Sequence, residues 1–204
     1  MAFHAIGDGA VEQCVTAVEY AQRLYPEKDL RHRIVHCQIA DKALLRRVAD
    51  AGMGADIQPA FTASDAPLVG SRLGAAHEMD SYRWKTMAEF GIPMGGGSDS
   101  PVETLDPLWG IYCAVTRQDA QGWPEGGWNP QERLTVDQAV YLYTRGGAYQ
   151  SFEENIKGMI APGYLADLAV LSQDIFTIPP EEIPKVHAVM TLIGGKICYV
   201  LNQS

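Results

Sequence analysis

The sequence is short of cysteine, of positive charge and of long apolar stretches, and each shortage excludes a class of protein. The four cysteines are scattered without a CxxC pair, so disulfide-rich and zinc-ribbon domains are excluded and a reducing, cytoplasmic location is expected. Only 16 lysines and arginines stand against 25 acidic residues, for a net charge of −9. With no basic run, nucleic acid and anionic membrane surfaces are not expected as partners. No apolar run is long enough to span a bilayer.

What remains is the composition of a globular protein with a core, at 47% hydrophobic and 20% charged residues. Up to residue 150, short apolar runs alternate with amphipathic helical patterns. This alternation predicts an α/β fold with a parallel sheet covered by helices. Beyond residue 150, strand patterns follow one another without helices, and Gly194-Gly195 predicts a two-residue hairpin turn. We therefore divide the chain into an α/β part, 1–150, and a small β part, 151–204.

Local signals predict where some of the elements begin. Asp8 and Asp41 are expected to cap the first two helices, and Thr135 with Gln138 forms a capping-box pattern. Residues 59–79 are predicted to form a long connection, and residues 81–90 a helix.

Three polar side chains stand at the ends of predicted strands, where the functional groups of a β/α barrel cluster. His4 lies at the end of the first strand, His36 lies at the end of the second, and Asp99 follows the fourth after a run of glycines. Two imidazoles and one carboxylate can converge on a single metal ion. The pattern therefore predicts metal-assisted hydrolysis, with Asp99 as the catalytic proton acceptor.

Each of these residues also has an ordinary structural explanation. A histidine at a strand end is often only hydrogen-bonded, and Asp99 before Ser100-Pro101 is typical of a turn. The same ligand set serves non-haem iron oxygenases, but their antiparallel double-sheet scaffold is not what this pattern predicts. Gln58 and Arg83, which flank the long connection, are weaker candidates for substrate binding.

Strand alternation orients the side chains of the second strand. It predicts Ile34 and His36 on one face and Val35 and Cys37 on the other. On this interpretation Val35 faces away from the site, and Cys37 is a packed core thiol.

Longer motifs resemble those of a known family. They are HAIGDGAV, RIVHCQ, GADIQP, GSDSPVETLDPLWGIYCAVTR, GYLADLAVL and GGKICY. Together they resemble the amidohydrolase superfamily, in particular amidohydrolase family 3, the branch of N-substituted formamide deformylase-like and D-aminoacylase-like hydrolases. The resemblance covers nearly the whole chain.

The resemblance implies the C-terminal half of a metal-dependent (β/α)8 TIM barrel with part of its β-sandwich. His4 and His36 would be the metal ligands of the fifth and sixth barrel strands. Asp99 would be the aspartate of the eighth strand, which binds metal and takes a proton from the attacking water. The implied cofactor is zinc, as one ion or two, and the implied reaction is hydrolysis of an amide-type C–N bond in a small molecule.

The resemblance also implies groups that this sequence does not contain. The N-terminal half of the family supplies a His-x-His pair and often a bridging carboxylate. Four strands cannot close a barrel of eight, so we expect the chain to self-associate or to pair with an N-terminal half. The alternative is a non-catalytic structural or regulatory fragment. Val35 stands where this branch often has an acidic residue, and Tyr164 where lysine is common.

Overall fold

The computed structural model describes residues 1–27 and 29–201, and these form two sheets. The first sheet is parallel and its strands lie in chain order. They are β1 (Ala2–Ala5), β2 (Arg33–His36), β3 (Gly54–Ile57) and β4 (Met94–Gly96). The predicted α/β architecture with a parallel sheet is confirmed.

Helices connect and follow these strands. They are α1 (Asp8–Leu24), α2 (Lys42–Asp50), α3 (Phe61–Leu73), α4 (Ala75–Glu78), α5 (Trp84–Glu89), α6 (Pro107–Thr116), α7 (Val136–Tyr141) and α8 (Gly147–Gln150). A π-helical turn, Leu142–Gly146, joins the last two, and 3-10 turns span Pro130–Glu132 and Pro180–Lys185. Within the described ranges, no helix is long and apolar enough to cross a membrane.

The second sheet is antiparallel and small. Its strands are β5 (Leu168–Leu171), β6 (Ala188–Ile193) and β7 (Lys196–Val200). Gly194 and Gly195 have φ of 55° and 77°, as a two-residue hairpin turn requires, so this prediction is confirmed. Ile183, between β5 and β6, is fully buried in the core that the first sheet shares. The division at residue 150 stays a prediction.

Two of the three predicted helix caps are confirmed. The Asp41 carboxylate accepts a hydrogen bond from Leu44 N at 2.7 Å, and Thr135 forms the capping box with Gln138. The prediction for Asp8 is wrong, because Gly7 is the N-cap of α1 and Asp8 lies in its first turn. The Asp8 side chain accepts a hydrogen bond from the neighbouring amide of Gly9 instead.

The predicted long connection is corrected by the structure, since most of residues 59–79 is helical. Helix α3 contains Pro67 and Gly70, which hide its helical character in the sequence. Its buried positions are Thr62, Ala66 and Val69, at the spacing of one helical face. Packing of that face outweighs the poor helix propensity of the segment.

The two faces of the parallel sheet differ in their exposure to solvent. Ile34 and Ala55, on the face covered by helices, are fully buried. On the opposite face Ala2 and His4 are exposed, and Val35 is partly exposed. The site residues therefore stand at the carboxyl edge of an open sheet face.

Candidate metal centre

The two predicted histidine ligands lie side by side at the carboxyl ends of adjacent strands. The ring centroids of His4 and His36 are 4.6 Å apart, with an angle of 79° between the ring planes. His4 is exposed, whereas His36 is only 5% exposed and packs edge-on against Phe61. The structure thus brings together the two imidazoles that the sequence singles out.

Strand alternation does not explain this contact, and the prediction from it needs correction. In the sheet register His4 is paired with Val35, so Val35 shares the face of His4 and does not face away from the site. His36 has φ of 78°, which lies outside the β region and interrupts the alternation at the strand end. The ring of His36 can therefore lie beside His4 although the two residues are one register position apart.

The backbone at this strand end is strained. His36 and the next residue, Cys37, have φ of 78° and 49°, and a non-glycine residue in such a conformation costs about 1–3 kcal/mol. Cys37 N donates to Ala5 O at 3.0 Å, which holds the segment against β1. Burial raises the pKa of the Cys37 thiol to about 12, so the side chain is an inert core thiol.

Asp99 approaches the histidines from the loop after β4. It has φ of 54°, its side chain is 43% exposed, and its Oδ2 lies 3.9 Å from His36 Nε2. Gly97 N donates to Ile57 O at 3.0 Å and extends the sheet pairing up to this loop. The loop after β4 is thus held on β3, and the carboxylate remains accessible to solvent.

His4, His36 and Asp99 are residue types that bind divalent metal ions, but their donor atoms are not yet close enough to coordinate one ion together. Among the described residues, no three His, Cys, Asp or Glu side chains are close enough to hold an ion as they stand. Two donors on one tetrahedral zinc lie about 3.3 Å apart, so the 3.9 Å between His36 and Asp99 needs only a small movement. His36 Nδ1 is also buried with no hydrogen-bond partner. We conclude that the residues present fit a metal ion.

The environment of His36 favours the neutral imidazole. Burial lowers its pKa and the nearby His4 adds to this, whereas Asp99 and Gln58 act in the opposite direction. Burial also lowers the pKa of His32, followed by the charge of the N-terminal ammonium. A neutral imidazole is the form that binds metal.

These shifts predict that the metal-free chain loses stability below about pH 6.5, the ordinary histidine pKa. The unfolded chain binds protons at His36 and His32 more readily than the folded chain, so the free energy of unfolding has its full value above that pH. The free energy of unfolding falls as the pH drops towards the lowered pKa values of the two histidines in the folded state. Urea unfolding at pH 7.5 and pH 5.5 measures the loss, and the His36→Gln variant should show a smaller one. Equal losses in both proteins would contradict the assignment to His36.

The two weaker candidates occupy different places. Gln58 is 7% exposed, its Nε2 donates to Asp56 O at 3.0 Å, and it lies close enough to His36 to affect its pKa. Gln58 Oε1 is buried without a partner. Arg83 forms an ion pair with Asp80 at 2.7 Å. A substrate-binding role stays a prediction for both residues, and Gln58 is the one that lies beside His36.

One polar residue of the site face was missed by sequence reasoning. Asp56 is paired with Val35 in the register, so it lies on the face of His4, and its carboxylate forms an ion pair with Arg33 at 2.6 Å. Burial raises the Asp56 pKa, although Arg33 lowers it in part. A lone carboxylate within an apolar strand pattern is the signal that could have identified it.

Comparison with known proteins identifies the family of this chain. A family model described as "Amidohydrolase family" (Amidohydro_3) matches residues 1–199. The chain belongs to the amidohydrolase family. A Bacillus subtilis (strain 168) protein named as an amidohydrolase, YtcJ, is 41% identical over 98% of this chain and 37% of its own length. The N-substituted formamide deformylase of Arthrobacter pascens is 26% identical over 98% of this chain and 36% of its own length.

Solved structures agree with this membership. A metal-dependent hydrolase of Pyrococcus horikoshii OT3 superposes with a TM-score of 0.76 at 27% identity, over 88% of this chain and 35% of that protein. This amidohydrolase chain therefore spans about a third of the length of the relatives it matches.

The two residues that depart from the family pattern, Val35 and Tyr164, have different surroundings in this amidohydrolase. Val35 lies on the site face beside the register position of His4, where an acidic side chain would face the same open side. Tyr164 lies elsewhere, and its hydroxyl donates to Glu154 O at 3.0 Å. Of the two, only the change at Val35 alters the site face.

Proposed function

We propose that this chain carries part of the metal centre of a metal-dependent hydrolase that acts on amide-type C–N bonds of small molecules. The observation that carries the proposal is the contact of His4 with His36, with Asp99 3.9 Å from His36, at the carboxyl edge of a parallel sheet. Membership of the amidohydrolase family supports it. So does the similarity to a metal-dependent hydrolase.

In this proposal His4, His36 and Asp99 hold the metal ion. A bound zinc ion supplies a Lewis acid that polarises a carbonyl group and lowers the pKa of a water molecule. Asp99 is the proton acceptor, and its exposed carboxylate can receive a proton from water and return it to the leaving amine. Gln58, which is buried near His36, and Arg83, which is held by Asp80, bind the substrate in this proposal.

Metal analysis of the purified chain tests the proposal against its rivals. Stoichiometric zinc, as one ion or two, supports the hydrolase. Iron together with oxygen consumption would support the oxygenase alternative, which has the same ligand set. No metal above background, before or after incubation with zinc, would support the non-catalytic structural or regulatory fragment.

We further propose that the parallel sheet is half of a (β/α)8 barrel and that β5 to β7 are part of a β-sandwich. Helices cover one face of the sheet, while Ala2 and His4 leave the other exposed. Strand β1 pairs only with β2 among the described residues, so one of its edges is free. An open edge and an open face favour association with further strands.

We expect the isolated chain to self-associate, or to pair with a separate N-terminal half when one is supplied. Light scattering at micromolar concentration measures this. Oligomers are the expected result for the chain alone, because the exposed face and the β1 edge can be covered by a second copy. A clean monomer across the concentration range would contradict self-association.

The compartment that we propose is the cytoplasm. All four cysteines are free in the structure, and two of them, Cys37 and Cys113, are buried. Burial raises the pKa of both thiols, which makes them unreactive packing groups. Free thiols of this kind fit a reducing environment.

A further inference from the structure

A hydrogen-bonded network lies behind the segment that follows β2. Tyr82 is 3% exposed, and its hydroxyl accepts a hydrogen bond from Gln38 Nε2 and donates one to Asp65 Oδ2. The same Gln38 nitrogen lies 3.4 Å from that carboxylate oxygen. The hydroxyl therefore acts as donor and acceptor at once, and joins the segment after β2 to helix α3.

The backbone of residues 80–82 is bound to the same segment. Tyr82 N donates to Gln38 O at 2.6 Å, and Ala40 N donates to Asp80 O at 3.0 Å. Between them Ile39 and Ser81 form an antiparallel bridge. Residues 38–40 are thus paired with residues 80–82, and this pairing begins two residues after His36.

A buried arginine holds Tyr82 from the other side. Arg117 is fully buried, its Nη1 donates to Tyr82 O at 3.1 Å, and its Nε donates to Trp128 O. Its guanidinium lies 4.9 Å from the Trp84 ring and 5.4 Å from the Trp128 ring. Burial lowers the Arg117 pKa to about 10, which leaves the side chain charged at neutral pH. Tyr82 itself has φ of 53°, so this contact holds a strained backbone.

We propose that Tyr82 is a positioning residue for His36 and acts on it through Gln38. Left-handed conformations at His36 and Cys37 persist only where the surroundings over-determine them. Strand β1 holds one side of this segment, through the bond of Cys37 N to Ala5 O, and the Tyr82 network holds the other. The relevance of this positioning for metal binding rests on the proposed function of His36.

The hydroxyl of Tyr82 distinguishes positioning from simple packing. Its ring packs edge-on against Trp84 and Trp128, with centroids 5.7 and 5.4 Å away, and these contacts do not need the hydroxyl. Burial and Asp65 raise the Tyr82 pKa, so the hydroxyl stays protonated and keeps its role as a donor. Removal of the hydroxyl alone therefore tests the network.

Imidazole NMR signals of the ¹⁵N-labelled, metal-free chain provide the test without any need for activity. The chain has five histidines, so each signal can be assigned by substitution. Tyr82→Phe removes the hydroxyl and keeps the ring. Tyr112→Phe is the matched control, because Tyr112 is also buried and its hydroxyl donates to Asp119 O at 2.9 Å, in the loop after α6.

We expect Tyr82→Phe to shift or split the His36 signals, while Tyr112→Phe leaves them in place. A folded Tyr82→Phe chain with unmoved His36 signals would overturn the proposal. If Tyr82→Phe does not fold, Asp65→Leu gives the answer, because leucine is of similar size and has no acceptor for the Tyr82 hydroxyl. The His36 signals should then shift in Asp65→Leu, and unmoved signals would again overturn the proposal.

Zinc added to the same samples separates this proposal from the proposed function. We expect Tyr82→Phe to bind zinc up to about 10-fold more weakly than the unsubstituted chain, because Tyr82 acts through Gln38 and groups that hydrogen-bond a metal ligand directly contribute about 10–100-fold. Tyr112→Phe should bind zinc as the unsubstituted chain does. If zinc leaves the signals of His4 and His36 unmoved in the unsubstituted chain, the proposed function is wrong. The metal-free comparison of the two tyrosine variants still decides whether Tyr82 positions His36.

Discussion

Replacement of His36 by alanine is expected to lower the affinity of the chain for zinc by more than about 100-fold. Groups that only orient a metal ligand contribute about 10–100-fold, and loss of the ligand itself should cost more. His36 is the buried member of the histidine pair, and its lowered pKa keeps the imidazole ready to bind metal at neutral pH. Isothermal titration with zinc at pH 7.5 measures the effect.

Two further histidine variants make this result specific. His4→Ala should also weaken zinc binding, since its ring lies 4.6 Å from the His36 ring. His187→Ala is the control, because His187 is exposed beside Ser172, next to the antiparallel sheet. It should bind zinc as the unsubstituted chain does. Equal affinities for all three variants would show that zinc binds elsewhere.

The parallel sheet could be predicted because its signals are local. Each strand is a short apolar run followed by a helical pattern, and helix starts such as Asp41 and Thr135 have caps that act within three residues. The placement of His4, His36 and Asp99 at strand ends follows from the same periodicity. Sequence reasoning therefore identified the pair of histidines that the structure brings into contact.

The orientation of these residues could not be predicted from periodicity. Alternation assumes β backbone throughout, and it fails at His36, where φ is 78°. The register of β1 with β2, which places Val35 on the face of His4, depends on pairing between strands more than 30 positions apart in the chain. No local pattern specifies that pairing.

The hydrogen-bonded network behind the site could not be predicted from the sequence for a related reason. The network of Tyr82 with Gln38 and Asp65 joins residues that are far apart in sequence, and it depends on helix α3. The sequence predicts a loop there, because Pro67 and Gly70 mask the buried face of the helix. Once the helix is placed, Asp65 lies within reach of the hydroxyl. The error in the predicted secondary structure thus concealed the contact of Asp65 with Tyr82.

Replacement of Gly110 by alanine is expected to destabilise the chain by about 2 kcal/mol. A Cβ at Gly110, inside α6, would lie 1.9 Å from the Tyr143 hydroxyl oxygen and 2.7 Å from its Cζ. Overpacking of this kind costs about 1–3 kcal/mol, and the gain in helix propensity, at most about 1 kcal/mol, offsets only part of it. Tyr143 belongs to the π-helical turn that also packs on Gly96 of β4, just before Asp99. Urea denaturation measures the change.

A matched control and a double substitution assign the loss to this one contact. Gly147→Ala changes a helical glycine whose added Cβ would meet its nearest neighbour, Leu142 O, only at 3.9 Å. It should leave stability unchanged or raise it by up to about 1 kcal/mol. In the Tyr143→Phe background the 1.9 Å clash is gone and only the 2.7 Å approach to Cζ remains, so Gly110→Ala should cost less than in the unsubstituted chain. Equal costs in the two backgrounds would show that the Tyr143 hydroxyl is not the source of the loss.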